Sequence, residues 1–175
     1  GGLIIAKTTN GHDMAEGQFK FQVQALDGKG TTAAETAQRI GIGQGTADTF
    51  GNVAGKDGVR VEMKSPAPLK FTQADAGKLF KFKVSEFGAN GKPGTGGKKD
   101  GYTYSDAVYT IELAVADNFD GTLTLTTKVT DKDNKTTTTV SSATNKVPTT
   151  IDFVNSYAAE TTDATDVDLA TAATK

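Results

Sequence analysis

The chain has 175 residues, a formal net charge of −2, no cysteine, no tryptophan and one histidine. That length fits one domain with a sizeable core, or at most two small ones. The balanced charge gives no basic field for nucleic acid, no stretch is apolar for long enough to span a bilayer, and the lack of thiols removes disulfides, thiol catalysis and thiolate metal sites together.

Period-two alternation rich in β-branched and aromatic residues dominates, with Gly, Asn and Asp clusters between the runs, so the chain reads as all-β. Gly1-Gly2 reads as the edge of an excised fragment, with no signal peptide. Residues 2–8 form the first expected strand. Asn10-Gly11-His12-Asp13 reads as a turn, and with His12 alone, triads built on histidine and zinc sites built on several nitrogens have little to work with. No cofactor or metal is expected. Residues 18–26 form the second strand, with Phe19, Phe21, Val23 and Ala25 inward and Lys20, Gln22 and Gln24 toward water.

Residues 27–58 are glycine-rich with little pattern, apart from a short helical turn over Ala33 to Arg39. Val59 to Met63 and Leu69 to Thr72 read as short strands around Pro66 and Pro68, at an edge or a crossing between sheets. A strand at 79–86 follows Gly77. Residues 88–101 carry six glycines, a proline and paired lysines, the composition of a flexible surface loop. Strands 107–116 and 121–130 form a hairpin through Asn118-Phe119-Asp120-Gly121, with Tyr109, Ile111, Leu113 and Val115 facing Leu123, Leu125, Thr127 and Val129. Asp131-Lys132-Asp133-Asn134 turns the chain into a threonine-rich edge strand at 136–141, and 149–157 is the last strand. The domain therefore spans 1–157, and residues 158–175, with almost nothing to bury, read as a disordered linker. About seven to nine short strands at this spacing suggest an immunoglobulin-like β-sandwich.

Three of these strands run apolar on one face and then place a polar group on that same face. The alternating sets are Leu3, Ile5, Lys7; then Phe80, Phe82, Val84, Glu86; then Ile151, Phe153, Asn155, Tyr157. The register that buries the phenylalanines must also bury an amine, a carboxyl and a carboxamide. Burial disfavours charge on both ionisable groups, so a neutral amine can stand beside a protonated acid. The amine is then a nucleophile for the Asn155 side-chain carbonyl carbon, and the Glu86 acid can donate to the carbonyl oxygen while ammonia leaves. Glu112 has the opposite parity to its strand's apolar face, and Asp152 flanks the apolar positions of the last strand; neither competes with Glu86. The pairs Asp117/Asp120 and Asp131/Asp133 could offer oxygen ligands to calcium, but each lies in a hairpin turn, where Asp is expected for backbone reasons. Loops 27–58 and 88–101 are the alternative place for function, as a surface for a host protein or glycan, although only Phe50 supplies an aromatic ring there.

Four stretches carry a resemblance: Ile4-Ile5-Ala6-Lys7, the Gly77 to Glu86 strand ending Phe82-Lys83-Val84-Ser85-Glu86, Gly101-Tyr102-Thr103-Tyr104-Ser105-Asp106 with the following Tyr109 to Val115, and Phe153-Val154-Asn155-Ser156-Tyr157. Over roughly residues 3–157 the chain resembles the isopeptide-linkage domain of Gram-positive pilins, the T-antigen or FctA-like family. Phe80 and Phe82 stand where that family often has tyrosines. The resemblance implies a CnaB-type sandwich in which Lys7 and Asn155 are joined, with Glu86 as the acid that promotes closure. It also implies a stalk or fibre module of an extracellular, cell-wall-anchored pilus or adhesin, partnered by neighbouring domains or pilin subunits. Residues 27–66 align with no pattern of the family, and no sortase sorting motif occurs in this sequence.

Overall fold

The computed structural model describes residues 2–63 and 69–162. The strands are β1 (Leu3–Asn10), β2 (Lys20–Lys29), β3 (Ala47–Gly51), β4 (Val61–Glu62), β5 (Leu79–Glu86), β6 (Lys98–Lys99), β7 (Tyr102–Thr103), β8 (Val108–Asp117), β9 (Leu123–Thr130), β10 (Thr136–Ser142) and β11 (Thr149–Tyr157); helix α1 (Ala33–Arg39) follows β2, and a 3₁₀ turn (Gln73–Asp75) precedes β5. Two sheets face each other: β4-β1-β11-β7-β6 and β10-β9-β8-β5-β2-β3. The all-β sandwich matches expectation, and β4 falls within the short strand read over Val59 to Met63; there are more strands than expected because β3 was not foreseen and β6 and β7 are two-residue pairings that no alternation pattern can announce.

The first and last strands lie side by side and run parallel, from Leu3 opposite Thr149 to Asn10 opposite Ser156. The chain therefore begins its fold at one pole of the sandwich and completes it at the other. In the facing sheet β5 is central, between β2 and β8. Ile5, Phe21, Phe80, Phe82, Val84, Ile111, Ile151 and Phe153 fill the space between the sheets. The Phe21 and Phe153 rings meet edge to face across that space at 5.2 Å, a geometry that aligns ring edges with ring faces.

Helix α1 forms where the helical turn was expected, capped by the Thr32 hydroxyl, which accepts from the Glu35 backbone N–H. Residues 69–72 are not the expected strand. They lead into the 3₁₀ turn, held by Asp75, whose carboxylate takes a two-pronged contact from Arg39 at 2.8 and 2.9 Å while accepting from the Thr72 backbone N–H. The Arg39 guanidinium also lies over the rings of Phe80 (4.9 Å) and Phe71 (5.6 Å). Strand β3 was not foreseen: it is a short sheet edge whose residues include Gly51 and are half-buried or exposed. Pro66, Pro68 and the tail from residue 163 lie outside the described residues.

The glycine-rich segment 88–101 is a chain of hydrogen-bonded turns rather than the loose loop its composition suggests. Gly88 N–H donates to Lys92, Gly91 to Gly88, Gly94 to Glu86 and Ala89 to Gly96, before β6 pairs with β7. The two hairpin turns of β8-β9 and β9-β10 each hold a non-glycine residue with positive φ, Phe119 (58°) and Asn134 (62°). Phe119 is 92% exposed.

Candidate functional site

The alternation of β1, β5 and β11 brings Lys7, Glu86 and Asn155 together between the sheets, at 0%, 0% and 1% exposure. Lys7 and Asn155 come from adjacent strands of one sheet, and Glu86 reaches across from the end of β5 in the other. One carboxyl holds both partners: Lys7 Nζ donates to Glu86 Oε1 at 2.6 Å, and Asn155 Nδ2 donates to Glu86 Oε2 at 2.6 Å. Lys7 Nζ also sits 4.8 Å from the Phe19 ring centre and 5.7 Å from that of Phe21, so two aromatic rings flank it.

The other end of the carboxamide is fixed by the backbone. Ser105 N–H donates to Asn155 Oδ1 at 2.8 Å. An amide N–H can only donate, so the oxygen must face Ser105 and the NH₂ must face Glu86. This corrects one expectation: the acid does not address the carbonyl oxygen of Asn155 but its nitrogen, the atom that would leave. Ser105 itself was missed as a contributor, although its stretch was quoted for the resemblance, because a main-chain donor leaves no side-chain signature.

Burial lowers the Lys7 pKa from 10.5 to about 8, against the opposing pull of Glu86. Burial likewise pushes Glu86 up, against the contacts from Lys7 and Asn155. Both shifts favour the uncharged pair, a free amine next to a carboxylic acid. Tyr104, next to the site, is also held above its usual range, by burial and by the neighbouring Glu86 charge.

The rejected candidates stand elsewhere. Glu112 lies on the outer face between Lys81 and Lys128 of the flanking strands. Asp152 is exposed and pairs with Arg60 at 2.6 Å. Asp117 accepts from the Phe119 N–H, Asp120 from Thr122, and Asp131 from the Asp133 and Lys135 N–H groups, each serving its own turn. His12 is exposed against the edges of Tyr157 (5.3 Å) and Tyr102 (6.3 Å). The loop region 27–58 is partly structural, since it supplies α1, β3 and the buried Ile40, Ile42 and Asn52.

No curated protein sequence matches the chain. A family profile described as "FctA: Spy0128-like isopeptide containing domain" matches residues 3–158, nearly the whole length. With the two-sheet sandwich and its buried Lys–Glu pair, that match establishes that the chain belongs to the FctA family of Gram-positive isopeptide pilins, as a structural pilin or adhesin domain and not an enzyme with turnover.

Proposed function

We propose that Lys7 Nζ and the Asn155 side-chain carbonyl carbon are joined in an intramolecular isopeptide bond formed once, on folding, with Glu86 as the proton carrier. The observation that supports this most directly is the bridging carboxyl, with one oxygen on the amine and the other on the amide nitrogen, each at 2.6 Å. Glu86 takes a proton from Lys7 Nζ. The free amine attacks Cγ, the Cγ–Nδ2 bond breaks, and the proton delivered through Glu86 lets the nitrogen depart as ammonia. An amine and a carboxamide do not react at a useful rate in water. Fixing them in contact raises the effective concentration to roughly 10⁵–10⁸ M for well-oriented pairs.

The bond would close a ring around almost all of the domain, which we place at residues 1–157. Tension entering β1 at Leu3 would cross from Lys7 to Asn155 through the cross-link and leave at the far end of β11, shielding the strands between. Such a module suits the shaft of a cell-wall-anchored surface fibre whose partners are neighbouring domains or pilin subunits. Among the described residues no helix is long and apolar enough to cross a membrane.

Intact mass spectrometry of the purified chain tests the reading. The expected mass is one ammonia below that of the sequence, and Lys7→Ala, Glu86→Ala and Asn155→Ala each restore the full value. A full mass for the unaltered chain would refute it.

A further inference from the structure

The carboxamide oxygen of Asn155 is the atom on which negative charge must gather when its carbonyl carbon is attacked. Its partner is the Ser105 N–H at 2.8 Å. That donor is free for the task because a strand ladder ends early. β7 pairs antiparallel with β11 only at Tyr102–Tyr157 and Thr103–Ser156. Continued in register, the next pairs would be Tyr104 with Asn155 and Ser105 with Val154. The chain instead departs from β11, and the Ser105 N–H turns to the side chain of Asn155.

The departure is held from behind by the glycine-rich turn. Tyr104 N–H donates to Gly97 O at 2.9 Å, and Ala107 N–H donates to the Ser105 hydroxyl at 3.2 Å. Gly96, with φ +61°, runs so close that a Cβ there would lie 2.8 Å from Asp106 Cβ and 3.4 Å from Tyr104 O. Gly88 in turn lies under Gly96, where a Cβ would meet Gly96 O at 2.5 Å. Glycine at both positions lets one turn press directly on residues 104–106.

We propose that the Ser105 backbone N–H is the oxyanion donor of the cross-linking reaction, and that the Gly88–Gly97 turn is the buttress that sets its position. This rests on the Lys7–Asn155 reading above. As Nζ attacks, the carbonyl electron pair moves to Oδ1, where the preorganised N–H stabilises it; the pair returns to Cγ as the Cγ–Nδ2 bond breaks, and ammonia carries off the proton supplied through Glu86. A donor aimed at the oxygen where charge develops acts on the barrier without reorganising.

The test follows ammonia loss by the full chain, made by cell-free translation and quenched in denaturant at intervals for intact mass. Replacing the Ser105 N–H by an ester oxygen, through the α-hydroxy analogue of serine, is expected to slow closure about 10²–10³-fold, the usual effect of deleting one such donor. Gly96→Ala is expected to slow closure, whereas Gly121→Ala, in the distant β8-β9 hairpin, which also has a positive φ (+89°) but nothing within 4 Å of its Cβ, is not. Far-UV circular dichroism of each variant in a Lys7→Ala background reports folding apart from closure. Native-rate closure by the ester chain overturns the proposal; if that chain does not fold, equal rates for Gly96→Ala and Gly121→Ala overturn it. Failure of the unaltered chain to lose ammonia would instead strike the underlying reading.

Discussion

Lys7 and Asn155 are diagonal neighbours and not ladder partners. In the parallel pairing of β1 with β11, Lys7 stands opposite Phe153, and Asn155 stands opposite Thr9, two residues further along. All four side chains are buried on the same face. A directly opposed pair would crowd the long amine arm against the carboxamide. The two-residue offset uses that arm's length and leaves room for the Glu86 carboxyl to enter from the facing sheet and touch both ends.

Closing the ring between these positions bears on stability. The loop-entropy treatment of cross-links gives about 5 kcal/mol for a ring of this size, comparable with the total stability of an ordinary domain. Asn155→Ala is the cleanest way to withhold the bond, because it leaves the Lys7–Glu86 pair intact. Its melting temperature is expected to fall by about 10–20 °C, measured by calorimetry beside the unaltered chain. A shift of a degree or two would mean that the bond is absent or mechanically idle.

In the same Asn155→Ala chain the buried amine makes stability depend on pH. Lys7 is lowered from 10.5 to about 8 by burial. Between those values the unfolded chain holds a proton that the folded chain has released. Stability is therefore expected to rise with pH from about 8 to 10.5, and below that window the cost of burying a charged amine is present in full. Glu86, raised by burial, acts on the acid side: its penalty grows as pH climbs from the usual carboxylate range through its raised value. Urea unfolding of Asn155→Ala and of the Lys7→Ala/Asn155→Ala double variant at several alkaline pH values checks the amine. A difference that stays flat with pH would contradict it.

Arg39 is bound to Asp75 by two parallel contacts and lies over two phenylalanine rings. Lysine keeps the charge but not the planar fork. Arg39→Lys is expected to cost about 1–2 kcal/mol in urea unfolding of the bond-free Asn155→Ala background. An unchanged midpoint would show that the contact holds its turn without adding stability.

Phe119 gives a prediction of opposite sign. A bulky side chain occupies left-handed backbone at the tip of the β8-β9 hairpin while almost wholly exposed, whereas the corresponding strain in the β9-β10 turn falls on Asn134. Asn is the residue other than glycine that best tolerates this conformation. Phe119→Asn is expected to stabilise the domain by about 0.5–1 kcal/mol in the same unfolding assay.

How far the sequence foretold the molecule can be traced residue by residue. β5 and β11 fall on 79–86 and 149–157 as read, because long alternating runs flanked by turns leave one register that buries the phenylalanines. The same parity placed Lys7, Glu86 and Asn155 in the interior. The direction of the Asn155 amide was not legible, since it depends on a main-chain donor at Ser105 whose availability follows from where a two-residue strand stops. Nor was the part played by Gly88 and Gly96. Composition marks glycine as permissive, and only the fold reveals that here it permits contact between two stretches of backbone. Leu69 to Thr72 was read as a strand because Arg39, which binds Asp75 in the following turn and lies over Phe71 and Phe80, comes from a distant helix that local alternation cannot announce.

The parallel placement of β1 beside β11 has a consequence for wear. With Lys7 tied to Asn155 as proposed, every residue between them would belong to a closed circle, and the segments leading in and out would both attach to that circle. A protease that cuts any single loop within it opens the circle without severing the strand of covalent bonds from one terminus to the other. A fibre assembled from such modules would lose a link only after damage to the short stretches outside the circle, or to the amide knot itself.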